Sequence, residues 1–210
     1  MKLRLSPLIA LTLLAGCSRE GLIENGGVYT TRSACPLAGI VGGTGDITVF
    51  NPPGNQTVGA IDVTATMTNV RSACSDQGDR IVSQIWFDVV AQRRAAGPAR
   101  QVILPYFSAA VQGGTNVVAK RVAGVALNFA QNEVRAQTRG YAVIRVSRAV
   151  ATLPQDVERT LNRPRKPGDP QSAVDPLTDP TIRAAVARAT FEHLVGFQLT
   201  NAQLRYNATR

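Results

Sequence analysis

Hydrophobic and polar residues alternate along the middle of the chain. Ile61, Val63, Ala65 and Met67 take one phase and Asp62, Thr64, Thr66 and Thr68 the other, the two-residue period of a strand with one wet face. Between Ile81 and Val90 the pattern is richer, with Ile81, Ile85, Phe87 and Val89 in phase and Trp86 opposite them. Asp46–Phe50 also reads as a strand, and Asn51-Pro52-Pro53-Gly54 after it as a turn. Gln101–Val111 carries Pro105, which predicts an edge strand or a bulge because proline offers no N–H to a ladder. Gln112-Gly113-Gly114-Thr115 predicts a hairpin turn before Val117–Lys120. Val122–Phe129 and Gly140–Ser147 complete six or seven strands. Turn signals every dozen residues or so predict a mainly β protein, an antiparallel β-sandwich rather than an alternating βαβ array.

The last third changes character. Pro154 opens PQDVERTLNR, with acids in the first turn, which predicts a short helix. Residues 163–180 hold five prolines and read as a loop. Thr181–Thr190 suits a helix by propensity and a strand by the alternation of Ile182, Ala184 and Val186. Phe191, Val195 and Phe197 read as core, and Thr200-Asn201-Ala202-Gln203 has the form of a capping box, predicting a helical turn over Ala202–Tyr206. The expected division is a sandwich core over 46–150, then a Pro-rich linker and a helix or strand segment over 151–210 completing the domain. Spacing and length resemble an Ig-like or fibronectin III-like module, in architecture only.

At the other end, Lys2 and Arg4 precede an apolar run from Leu8 to Leu14 broken only by Thr12. The run is too short for a permanent membrane helix, which needs about 20 apolar residues, and it matches a secretory signal. It ends in Leu14-Ala15-Gly16-Cys17, which resembles the lipobox of bacterial lipoproteins at all four positions. That resemblance implies a signal peptide over 1–16 and diacylglycerol on the Cys17 thiol. It also implies cleavage before Cys17 and acylation of the new amine. With Ser18 next, it further implies transfer to the outer membrane, lipid-anchored and facing the periplasm, with the cell surface left open. Residues 17–45, Gly-rich and weakly patterned, are then the lipidated N-terminus and tether. The tail from Phe197 to Asn207 resembles the ending of uncharacterised alphaproteobacterial envelope lipoproteins, a family with no activity to lend.

Composition bears on partners. The chain has 23 Lys+Arg against 14 Asp+Glu, a formal net charge of +9. Loss of 1–16 removes Lys2 and Arg4 and no acid, leaving +7. Such a charge attracts anionic lipid or glycan, or simply keeps the chain soluble. Nucleic acid is not expected, because the export signal places the chain where little of it exists, and with aromatics at only 5% a stacking platform for single strands would be hard to build. With Cys17 lipidated, Cys35 and Cys74 remain, each in the tetrapeptide Arg-Ser-Ala-Cys. Pairing them in an oxidising compartment closes a loop of roughly 40 residues, worth roughly 3–4 kcal/mol on the chain-entropy model; the alternative is two free thiols.

Reactive chemistry is sparse. His193 is the only imidazole and lies in an apolar, strand-like run with no Gly-rich elbow near a serine, so a structural role is expected. The acids are scattered, and nothing has metal-ligand spacing. The expectation is a protein without enzymatic activity, cofactor or metal. Candidate anion- or partner-binding residues are Arg93, Arg94 and Arg100, together with Arg163, Arg165 and Lys166, each group read as lying in loops or as a solvated rim. The function these readings favour is a scaffold or accessory subunit of an envelope complex, with a protein partner. The alternative is a module binding an anionic envelope glycan or lipid through the arginine-rich loops. Strand addition at an exposed sheet edge is a further route to a partner.

Overall fold

The expected strands form, and most run longer than their alternation alone delimits. The computed structural model describes residues 33–163, 168, 170 and 174–209 in full, and the backbone of Leu22–Glu24 (β1) and Gly27–Tyr29 (β2), which pair antiparallel. The body is a β-sandwich. One sheet has the order β3-β10-β7-β8 and the other β4-β5-β6-β9. The first is built from Leu37–Ile40 (β3), Arg100–Gln112 (β7), Asn116–Phe129 (β8) and Phe191–Phe197 (β10). The second comprises Asp46–Phe50 (β4), Ile61–Gln77 (β5), Arg80–Arg93 (β6) and Arg135–Ser147 (β9). Every pair in these two sheets is antiparallel except β3 with β10.

The fold reaches beyond 46–150 on both sides. β3 lies inside the segment read as tether, and β10 is inserted between β3 and β7. The reason is burial: Phe191, Val195 and Phe197 point into the core, and without β10 the strands on either side would lose their ladders. Pro105 is accommodated at the place where β10 ends. The β10 ladder stops at Tyr106 opposite Phe197, so the missing N–H interrupts no pairing, and the Pro105 carbonyl accepts from the Gln198 N–H at 2.9 Å. Thus Arg100–Pro105 has a strand partner only in β8, and the bulge lies further on, between Ala110 and Val111.

The core between the sheets joins Val63, Ile85, Phe87 and Val89 to Leu104, Leu127, Phe129, Val195 and Phe197. Each such side chain contributes roughly 1.5–3 kcal/mol by leaving water. Phe87 meets Tyr106 edge-on at 5.1 Å, and the Tyr106 hydroxyl crosses to the Tyr141 carbonyl at 2.7 Å. Burial raises the Tyr106 phenol above its ordinary pKa. The disulfide Cys35–Cys74, with Cα atoms 5.9 Å apart, ties the chain entering β3 to β5 in the opposite sheet.

Helices dress the ends. Arg148–Ala151 (α1) and Gln155–Leu161 (α2) follow β9, and Thr181–Thr190 resolves to a helix, Pro180–Ala189 (α3), capped by the Asp179 carboxylate. Asn201–Ala208 (α4) opens with the expected capping box of Thr200 and Gln203. It lies along β4, where Gln203 and Asn207 donate to the carbonyls of Thr48 and Asp46. No helix among the described residues is long and apolar enough to cross a membrane.

Candidate binding site on the outer face of one sheet

β5 slips register against β6 between Thr68 and Arg71. The slip places Asn69 in the left-handed region, at φ 53°, which asparagine tolerates better than most residues. This bulge aims the Asn69 side chain along the outer face of the sheet. Its amide Nδ2 donates to Asp88 Oδ2 at 2.5 Å, while its Oδ1 accepts from Arg71 Nε at 3.1 Å. Arg139 on β9 donates through Nε to the other Asp88 oxygen at 3.3 Å. The Asn69 hydrogen bond, aided by Arg139 and opposed by burial, holds the Asp88 carboxyl below the usual carboxylate pKa. The result is a fixed polar row with two guanidinium groups and one carboxylate.

An aromatic pair stands beside it. Trp86, the only tryptophan, precedes Asp88 by two residues and so shares its face. Across the sheet, Arg71, Trp86 and Tyr141 form one row of partners, and Thr68, Asp88 and Arg139 the next. The Trp86 and Tyr141 rings are 5.6 Å apart and tilted by 40°. A hollow of about 180 Å³ opens here, lined by Asn69, Arg71, Trp86, Phe87, Asp88 and Arg139. Chemically, the aromatic pair offers a half-exposed apolar platform, the carboxylate an acceptor, and the arginines forks for an anionic group.

His193 occupies the opposite kind of place. It is 0% exposed, with Nδ1 3.0 Å from Ser83 Oγ and Nε2 3.0 Å from Ser108 Oγ. Burial pushes its pKa down to about 4. The ring is neutral at pH 7, and no carboxylate is among its hydrogen-bond partners.

The six basic candidates are not one surface. Arg93 is not a loop residue facing solvent: it is 3% exposed and closes β6. Its guanidinium donates to the carbonyls of Glu133, Pro98, Gly97 and Ala130 and lies 5.4 Å from the Phe129 ring centre. Four of its five N–H groups are thereby committed to backbone, which corrects the reading of Arg93 as an anion site. Arg94 is exposed, and Arg100 pairs with Asp62 at 2.6 Å. Arg163 is exposed just after α2, beside Arg159 and Glu158, while Arg165 and Lys166 lie outside the described residues, as does Cys17. The sequence reading noticed Trp86 but missed Asn69, Arg71, Asp88, Arg139 and Tyr141 as a group.

Among the described residues, no cluster of three His, Cys, Asp or Glu side chains is placed to hold a metal ion. No protein-family model, curated protein or solved structure matches this chain.

Proposed function

We propose that this protein is a lipid-anchored, non-enzymatic binding module of the bacterial outer membrane, and that it holds an anionic envelope glycan on the outer face of β5, β6 and β9. The observation that carries the reading is the aromatic pair Trp86–Tyr141 set beside the Asn69–Asp88–Arg139 network. A sugar ring has an apolar face for the platform and hydroxyls for the carboxylate and amide. Its acidic substituents suit Arg71 and Arg139. The anchor rests on the likeness of Leu14-Ala15-Gly16-Cys17 to a lipobox, and the positive charge of the chain favours the same class of ligand. Solvated arginine loops are not required by this reading.

Titration calorimetry of the full chain in detergent with a soluble polyuronate and a neutral glucan of equal length tests it. Binding is expected for the polyuronate alone, weakening steeply with salt, and lost in both Trp86→Ala and Arg139→Ala. Equal binding of the neutral polymer, or binding indifferent to Trp86, overturns it. Intact mass of the protein from native membranes tests the anchor separately, with a start at Cys17 plus three acyl chains expected.

A second reading, an accessory subunit docked on a protein partner, has its own support in the uncovered strand β8.

A further inference from the structure

We propose that β8 accepts an extended acidic segment of a partner protein as an additional strand. The free edge of a sheet is a row of unspent N–H and C=O groups, and folded proteins cover or blunt such rows. Here β4 is covered by α4, whose Gln203 and Asn207 reach the carbonyls of Thr48 and Asp46. On β9 the Tyr141 carbonyl is taken by the Tyr106 hydroxyl. β8 is different. It pairs with β7 alone, and among the described residues the backbone of 116–124 makes no hydrogen bond outside that ladder. All nine residues from Asn116 to Gly124 are exposed, and Val117, Val118 and Val122 show 57%, 47% and 58% of their surface to solvent.

Charge selects the occupant. From Asp88 to Glu133 the chain carries no acid, and the exposed stretch of β8 holds Lys120 and Arg121. A second copy pairing antiparallel about these residues would set cation opposite cation, which is destabilising. A bilayer is disfavoured because unpaired backbone groups cannot be satisfied in hydrocarbon. Edge lysines often guard a strand against pairing, yet the Lys120 ammonium lies back over the Phe107 ring, 4.8 Å from its centre, on the face of the sheet. What fits is an extended peptide bearing glutamate or aspartate opposite Lys120 and Arg121, with β-branched residues against the valines. This site is independent of the glycan reading, since β8 and the Trp86 face belong to different sheets.

The test uses the full chain in detergent and three synthetic nine-residue peptides: one with two adjacent central glutamates flanked by valines, so that one acid falls on each face of the added strand, the same sequence N-methylated at alternate amides, and the same sequence with lysines in place of the glutamates. The first is expected to bind, the other two at least about tenfold more weakly. The double variant Lys120→Glu, Arg121→Glu, checked for native circular dichroism, is expected to exchange its preference from the glutamate to the lysine peptide. Equal binding of the N-methylated peptide overturns strand addition. An unchanged preference in the charge-reversed variant overturns the assigned site, as does no binding at all. So does a stable dimer broken by the double variant, or binding to anionic vesicles that the peptides do not displace.

Discussion

The imidazole of His193 on β10 lies 3.0 Å from the hydroxyl of Ser83 on β6, so this hydrogen bond spans the two sheets. The other ring nitrogen meets Ser108 on β7 at the same distance. A neutral ring has one N–H and one lone pair, so one serine donates to it and the other accepts. A protonated ring would need both hydroxyls to accept, in a core with no carboxylate at hand.

Stability should therefore fall on mild acidification. In the unfolded chain the imidazole takes a proton near its ordinary pKa of 6.5, whereas in the fold it resists until about pH 4. Between those values the unfolded state binds more protons, so stability is full above pH 6.5 and drops as pH is lowered through the window. The slope approaches about 1.4 kcal/mol per pH unit. Urea unfolding at pH 5.0 and 7.0 checks this, and because His193 is the only histidine the assignment has no competitor above the carboxylate range. Equal midpoints would remove the argument.

Arg93→Ala should cost about 3 kcal/mol or more, since it strips donors from four backbone carbonyls at the end of the sandwich. Arg93→Lys should recover only part of that, because an ammonium offers three N–H groups from a single point. Chemical denaturation measures both, and polyuronate binding should survive in each folded variant. Loss of binding without loss of stability would return Arg93 to the list of ligand contacts.

Replacing Asn69 separates its two duties. Asn69→Gly keeps the left-handed backbone at no steric cost, while Asn69→Ala adds strain, so the alanine variant should be the less stable by about 1 kcal/mol. In both, the Asp88 carboxyl loses the strongest influence lowering its pKa and should titrate higher. Carboxyl NMR through an acid titration reads this directly. The wild-type group favours the fold above its unfolded value of 3.8, and that advantage fades as pH falls through the lowered folded value. An unmoved Asp88 would mean the amide contact is not made in solution.

Gly140 faces a rigid neighbour. A Cβ there would come within 2.1 Å of the Phe87 ring, whose side chain is core. Gly140→Ala should cost about 1–3 kcal/mol, and Phe87→Leu should relieve part of it in the double variant. Thermal melts of the two single variants and the pair give the coupling; strict additivity would show that the contact is not the cause.

Much of this was legible from period alone. In β6 the inward phase continues Ile81, Ser83, Ile85, Phe87, Val89, Ala91, Arg93, so both the serine partner of His193 and the buried arginine stand on it. Reading Arg93 as a loop cation ignored that phase in favour of its charge. The inward position of His193 was equally available from Phe191, Val195 and Phe197. The Asp88 cluster was hidden for a different reason. It depends on a bulge at Asn69 with no glycine or proline to announce it, and on strand neighbours that only the register brings together. The parallel partnership of β3 and β10 was out of reach too, because pairing between strands so far apart in sequence leaves no local pattern.

That last pairing has a consequence for the order in which the molecule can be made. β3 is among the earliest strands of the sandwich to leave the ribosome and β10 the latest, yet β10 must lie between β3 and β7 before either has its full set of partners. A nascent chain ending anywhere before residue 191 therefore owns most of a core and cannot close it. The second sheet can pair throughout once residue 147 is made, but the first is joined into one sheet only by the last strand.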